Sequence, residues 1–131
     1  MMRDMVDLLY IRDEETYSDG QVIFEEGGFS DWVYVIMEGQ AKVIKNTPKG
    51  RVTVAMLRTG DFIGELEFLD MGKEPRSTTV IAKGETKLAV MDRDRLRREY
   101  ASLSPDFRKI IRTLVRRTRR ITQMAASLAT S

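Results

Sequence analysis

Phe62-Ile63-Gly64-Glu65-Leu66-Glu67-Phe68-Leu69-Asp70, followed four residues later by Pro75-Arg76-Ser77-Thr78-Thr79-Val80, is the stretch that organises this chain. It places an acidic residue, Glu65, and an arginine, Arg76, eleven positions apart with a short segment and a turn between them. A short helix starting near Gly64 would turn free backbone N–H groups outward, and such a terminus attracts anions. Pro75 favours an extended or turn backbone and so limits where the Arg76 guanidinium can go. A planar guanidinium suits a phosphate better than an ammonium does, and Ser77 adds a hydroxyl donor beside it. Glu65 would repel a phosphate, but it suits the hydroxyls of a sugar and could also hold Arg76 in place. Taken singly, Arg76 could be a surface ion pair and Glu65 a solvated carboxylate at a helix start. Together they predict a site for a sugar phosphate.

The rest of the composition narrows the options. A chain of 131 residues suits one domain with a modest core. It contains no cysteine and no histidine, which excludes disulfides and thiolate metal sites and removes the commonest general base. No paired carboxylates stand at a defined spacing, so no catalytic constellation is expected. No apolar run is long enough to span a membrane, and Met1-Met2-Arg3-Asp4 lacks the apolar core of a signal peptide. A cytosolic protein with no membrane partner is the expectation. From Ser102 onward the chain carries +6 and before it −4, which together make the net +2. Arg112, Arg116, Arg119 and Arg120 read as a solvated helix face. Nucleic acid could bind such a face electrostatically, but no helix-turn-helix follows, so DNA reading by this chain alone is not expected.

Residues 1–15 are predicted to hold a short helix, with Met2, Met5, Val6 and Leu9 at helical spacing. Residues 16–92 are short runs of β-branched and aromatic residues cut by glycines. The candidate strands are 22–24, 32–37, 40–44, 52–57, 77–82 and 87–91. Residues 37–40 and 46–51 look like hairpin connections. In 93–131, Asp92 is the expected cap of a helix reaching Tyr100, with Leu96 facing inward. Ser104-Pro105 starts the next helix, with Pro in the first turn. Phe107, Ile111, Leu114, Thr118, Ile121, Ala125 and Leu128 then recur alternately four and three residues apart, a heptad seam widened by Ile110, Val115 and Met124. A helix of about 24 residues is roughly 36 Å long, more than one side of a small β body covers. A homodimer through this helix is therefore expected, with its wider N-terminal part packed on the body.

Gly64-Glu65-Leu66 with Pro75-Arg76-Ser77-Thr78-Thr79-Val80 resembles the phosphate-binding cassette of cyclic-nucleotide-binding domains. Gly20-Gln21-Val22-Ile23-Phe24-Glu25-Glu26-Gly27 resembles the family's opening strand pair. Trp32-Val33-Tyr34-Val35-Ile36-Met37-Glu38-Gly39 resembles its next strand and turn, and Arg58-Thr59-Gly60-Asp61-Phe62-Ile63-Gly64-Glu65 its Gly-Asp-Phe-x-Gly-Glu run. The resemblance implies a single, mainly β domain over residues 1–131. It would be an eight-stranded antiparallel β-roll with a short N-terminal helix, a cassette helix and a long C-terminal helix.

The resemblance also implies a ligand set. Gly64, Glu65, Leu66, Arg76, Ser77 and Thr78 would hold the sugar and phosphate. Val43, Val54 and Ile63 would line the base, each being equally readable as plain core. Thr122 would meet the adenine amino group from the final helix, with Thr118 as its backup and a helix-surface role as the alternative. Ser77 leans towards cAMP over cGMP. Glu67 departs from the pattern, which usually has a small residue there, and a carboxylate so near a phosphate opposes it unless it points to solvent. The implied function is a cyclic-nucleotide-binding regulatory module that shifts its C-terminal helix on binding and passes the signal to an unidentified protein or further domain. The alternatives are a non-binding member of the fold serving as a dimerisation or interaction scaffold, and the effector part of a transcription regulator. No cofactor or metal is expected beyond the nucleotide.

Overall fold

The computed structural model describes residues 10–70 and 73–130. The expected helix over 2–9 lies outside that range. Its extension to residue 15 is corrected, because Ile11–Tyr17 is a strand, β1. Val22–Phe24 forms β2, Tyr34–Thr47 β3, Gly50–Arg58 β4 and Phe62–Ile63 β5. A short helix α1 (Glu65–Leu69) precedes β6 (Thr79–Met91), and α2 (Arg93–Ala101) and α3 (Pro105–Ala129) close the chain. The strands form one antiparallel sheet in the order β1-β6-β3-β4, with β2 also paired to β6 and β5 to β3. Among the described residues no helix is long and apolar enough to cross a membrane.

Among the described residues six strands stand where eight were expected. Runs 32–37 and 40–44 join in β3, and 77–82 and 87–91 join in β6. Gly39 explains the first junction. It sits at φ 92°, and the β3–β6 register shifts on both sides of Glu38. The chain therefore passes the glycine as a bulge instead of a hairpin. A Cβ on Gly39 would lie 2.6 Å from the Glu85 carbonyl oxygen, so the close approach of β6 requires the missing side chain.

The strand period of two divides β3 and β6 between two buried clusters. Tyr34, Ile36, Leu88 and Val90 meet Ala41, Ile63 and Val80 in one. Val33, Val35, Ala89 and Met91 meet Phe68 of α1 in the other, with Leu96 of α2 packed against it as expected. α1 and α2 thus cover one face of the sheet. The opposite cluster runs through Val43, Leu57 and Phe24 toward the mouth of the roll. Asp92 caps α2 by accepting from the Arg95 N–H at 3.2 Å, and Ser104 caps α3 by accepting from the Phe107 N–H at 3.1 Å.

Candidate ligand-binding site

Where the first cluster stops filling the roll, a cavity of about 240 Å³ opens. Val43, Ala55, Leu57, Ile63 and Val80 give it apolar walls; Gly64, Glu65, Leu66, Glu67, Ser77 and Thr78 line its cassette side; and Thr118 and Thr122 reach it from α3. Nine of the eleven positions named from the sequence, the backup Thr118 included, are therefore brought to one cavity. Val54 is not among the lining residues. β3 pairs Val43 with Ala55 but Ile44 with Thr53, so Val54 is the extra residue of a bulge. Ala55 and Leu57 supply that wall instead, a one-residue offset that pattern reading does not resolve.

Arg76 is the other exception, and a more consequential one. It is 1% exposed and is not among the residues lining this cavity. Its backbone is clamped to the turn after β2, donating to the Gly28 oxygen at 2.7 Å and accepting from the Gly27 N–H at 2.8 Å. Its Nε donates to Ser30 Oγ at 3.0 Å, Nη1 to the Gly64 carbonyl at 2.9 Å, and Nη2 to the Trp32 carbonyl at 2.7 Å. The guanidinium lies over the Phe24 ring, 4.0 Å from its centroid. Nη1 also donates to Glu67 Oε1 at 3.0 Å. The carboxylate that holds Arg76 is thus Glu67, not Glu65, and Glu67 is buried instead of pointing to solvent.

Gly64 makes this arrangement possible. It precedes α1 at φ 85°, and a Cβ there would stand 2.7 Å from both Arg76 Nη1 and the Trp32 oxygen. Glu65 opens onto the cavity, yet desolvation by the surrounding protein pushes its carboxyl above the usual range. Glu67 and Asp61 add to that shift, while its own backbone N–H and Arg76 oppose it. Thr79 is buried and accepts from the Glu26 N–H at 2.9 Å, which is a structural role. Thr118 donates to the Leu114 carbonyl of its own helix at 2.8 Å.

Arg119 corrects a further expectation. It is not on a solvated face: it donates to Glu67 Oε2 at 3.1 Å and pairs with Asp70, joining α3 to α1. Buried Val115 and Ala126 and half-buried Ile111 and Thr122 share that packed side. Phe107, Ile110, Leu114, Ile121 and Met124 stay exposed along another side of α3. The signal for Arg119 was available in its spacing: it lies four residues from Val115 and three from Thr122, on one helix face.

An antiparallel roll with a cassette of this geometry defines a ligand-binding regulatory fold. The cyclic nucleotide-binding domain model matches residues 14–102, and the chain belongs to that family. It is 34% identical over 110 residues to a CRP-like cAMP-activated global transcriptional regulator of Mycobacterium tuberculosis, covering 83% of this chain and 48% of the regulator. It is 39% identical over 82 residues to a cAMP-dependent protein kinase regulatory subunit of Aspergillus fumigatus, covering 63% of this chain and 19% of the subunit. The chain thus spans about half the length of the first relative and far less of the second. Its fold is also similar to that of a part of the EAL enzyme Bd1971 in its cAMP-bound form, with TM-score 0.78, 23% identity, and coverage of 89% of this chain and 30% of that one.

Proposed function

We propose that the cavity takes cAMP, and cGMP less readily, and that occupancy is reported by a shift of α3. The observation that carries this is the meeting at one cavity of Glu65, Ser77 and Thr78 from the cassette with Thr122 from α3. In this reading Glu65 takes a ribose hydroxyl, Ser77 and, once Glu67 releases it, Arg76 take the cyclic phosphate, and Thr122 takes the base. Val43, Ile63 and Ala55 form an apolar slot of the kind a purine requires. Because α3 contributes to the wall and is tied to α1 by Arg119, a ligand that favours one placement of α1 also biases α3. The exposed apolar side of α3 would seat the same helix of a second chain, giving a homodimer whose output passes to a further protein or domain. No enzymatic step is assigned to the chain.

Isothermal titration with cAMP and cGMP tests this. Saturable binding of cAMP, tighter than cGMP, is the expected result; folded protein that takes up neither at millimolar nucleotide overturns it. One observation favours a second reading, a non-binding scaffold of this fold: Glu67 already holds Arg76. That reading predicts no change in melting temperature with any cyclic nucleotide, whereas a ligand of the native state raises it.

A further inference from the structure

We propose that Glu67 is a built-in competitor for the anion subsite, holding the donors a cyclic phosphate needs and thereby setting how tightly the site accepts one. This rests on the nucleotide-binding reading above and concerns how that same site is regulated. Glu67 is 3% exposed yet lines the cavity, with Arg76 behind it. Its Oε1 accepts from Arg76 Nη1 at 3.0 Å, and its Oε2 accepts from Ser77 Oγ at 3.3 Å and from Arg119 Nη2 at 3.1 Å. Two oxygens engaged by a guanidinium and a neighbouring hydroxyl reproduce the demands of the two non-bridging oxygens of a phosphodiester. Carboxylate and phosphodiester each carry one negative charge, and in a buried site two like charges do not share one guanidinium without a large cost. A cyclic phosphate must therefore displace Glu67 from Arg76 and Ser77.

Arg119 keeps that displacement feasible. A buried carboxylate stripped of its only cation would be costly, but Glu67 retains the α3 arginine when Arg76 changes partner. Arg119 also holds Asp70, so the displaced carboxylate stays tethered between α1 and α3. Competition for Arg76 is in this way felt at the helix that reports occupancy.

The experiment compares wild type with Glu67→Gln, a neutral near-isostere that still accepts hydrogen bonds, by calorimetric titration with cAMP and with adenosine, which has no phosphate. A competitor role predicts that the cAMP dissociation constant falls at least about tenfold, the scale of one charge-assisted contact, while adenosine binding changes little. Binding of cAMP by the variant alone also supports the proposal. If wild type binds cAMP and the variant binds it no more tightly, or if both ligands shift alike, Glu67 is a structural counter-ion and the proposal falls alone. If neither protein binds cAMP, the nucleotide reading fails and takes this proposal with it. Thermal melts confirm that the variant is folded; Glu67→Ala with the same two ligands serves should Glu67→Gln melt below the assay temperature.

Discussion

At the scale of single residues, the site is built on one left-handed glycine and one buried guanidinium. Gly64 bends the chain into α1 and leaves room for Arg76 and the Trp32 carbonyl within 2.7 Å of where a Cβ would be. Alanine there must adopt a strained φ, at about 1–3 kcal/mol, and must also push two hydrogen-bonded groups apart. Gly64→Ala is therefore expected to lower stability by at least that amount in urea denaturation. Loss below 0.5 kcal/mol, to be judged against the roughly 10% uncertainty of such extrapolations, would show that the cassette relaxes freely. Arg76 itself is so fully engaged that truncating it would leave the Gly64 and Trp32 carbonyls without their donor as well as remove the Glu67 ion pair. A lost ligand in that variant would not by itself distinguish a phosphate partner from a structural one, which is why the charge on Glu67 is the better handle.

At the scale of elements, the loop that offers Ser30 and the Trp32 carbonyl to Arg76 is held from the other side by α2. Asp31 accepts from Arg93 at 2.5 Å and from Arg97, and Arg93 also lies 3.5 Å over the Trp32 ring. Burial alone would raise the Asp31 pKa, but the two arginines outweigh it and hold the carboxyl below its ordinary 3.8. A carboxyl depressed on folding adds stability above its unfolded pKa and loses it as pH falls through the folded one. Asp31→Asn is thus expected to cost about 1 kcal/mol at pH 7. The gap from wild type should begin to close near pH 4 and vanish below the folded pKa, as read from melts across that range. A gap that does not narrow as the pH falls below about 4 would mean that the asparagine lost packing and not charge.

At the scale of the molecule, α3 has two unlike sides. Ile111, Val115, Arg119, Thr122 and Ala126 face the roll or its cassette, and Phe107, Ile110, Leu114, Ile121 and Met124 stand in solvent. The exposed set follows a heptad that departs from the expected seam, with Ile110, Arg117 and Met124 in place of Ile111, Thr118 and Ala125, because Ile111 and Thr118 turn toward the roll and its cavity. If a second copy covers this stripe, sedimentation equilibrium should return a mass near twice 15.1 kDa, and Ile121→Asp should return it to the monomer. A monomer at high micromolar concentration for wild type would remove the self-pairing helix from the proposal. The cavity would remain, since Thr118 and Thr122 of the same chain already line it.

The residues themselves determined the elements whose cause is local. Asp92 and Ser104 cap their helices because a short side-chain acceptor at a helix start satisfies a free backbone N–H, and Val22–Phe24 is a strand between turn residues. The cassette was legible because its glycine, carboxylate, proline and arginine stand at the spacing of the cyclic-nucleotide-binding family's motif. Tertiary contact decided the rest. Ile11–Tyr17, with Asp13, Glu14 and Glu15 in its middle, carries no strand period and becomes one only because β6 offers it a ladder. The bulges at Gly39 and Val54 depend on which residue a partner strand presents. Arg119 reads as a solvated charge, and Glu67 as a departure from the family pattern, until α1 and α3 are folded against each other. A charge's neighbours across the fold, not its neighbours in sequence, set whether it is solvent-facing or the counter-ion that fills a ligand's place.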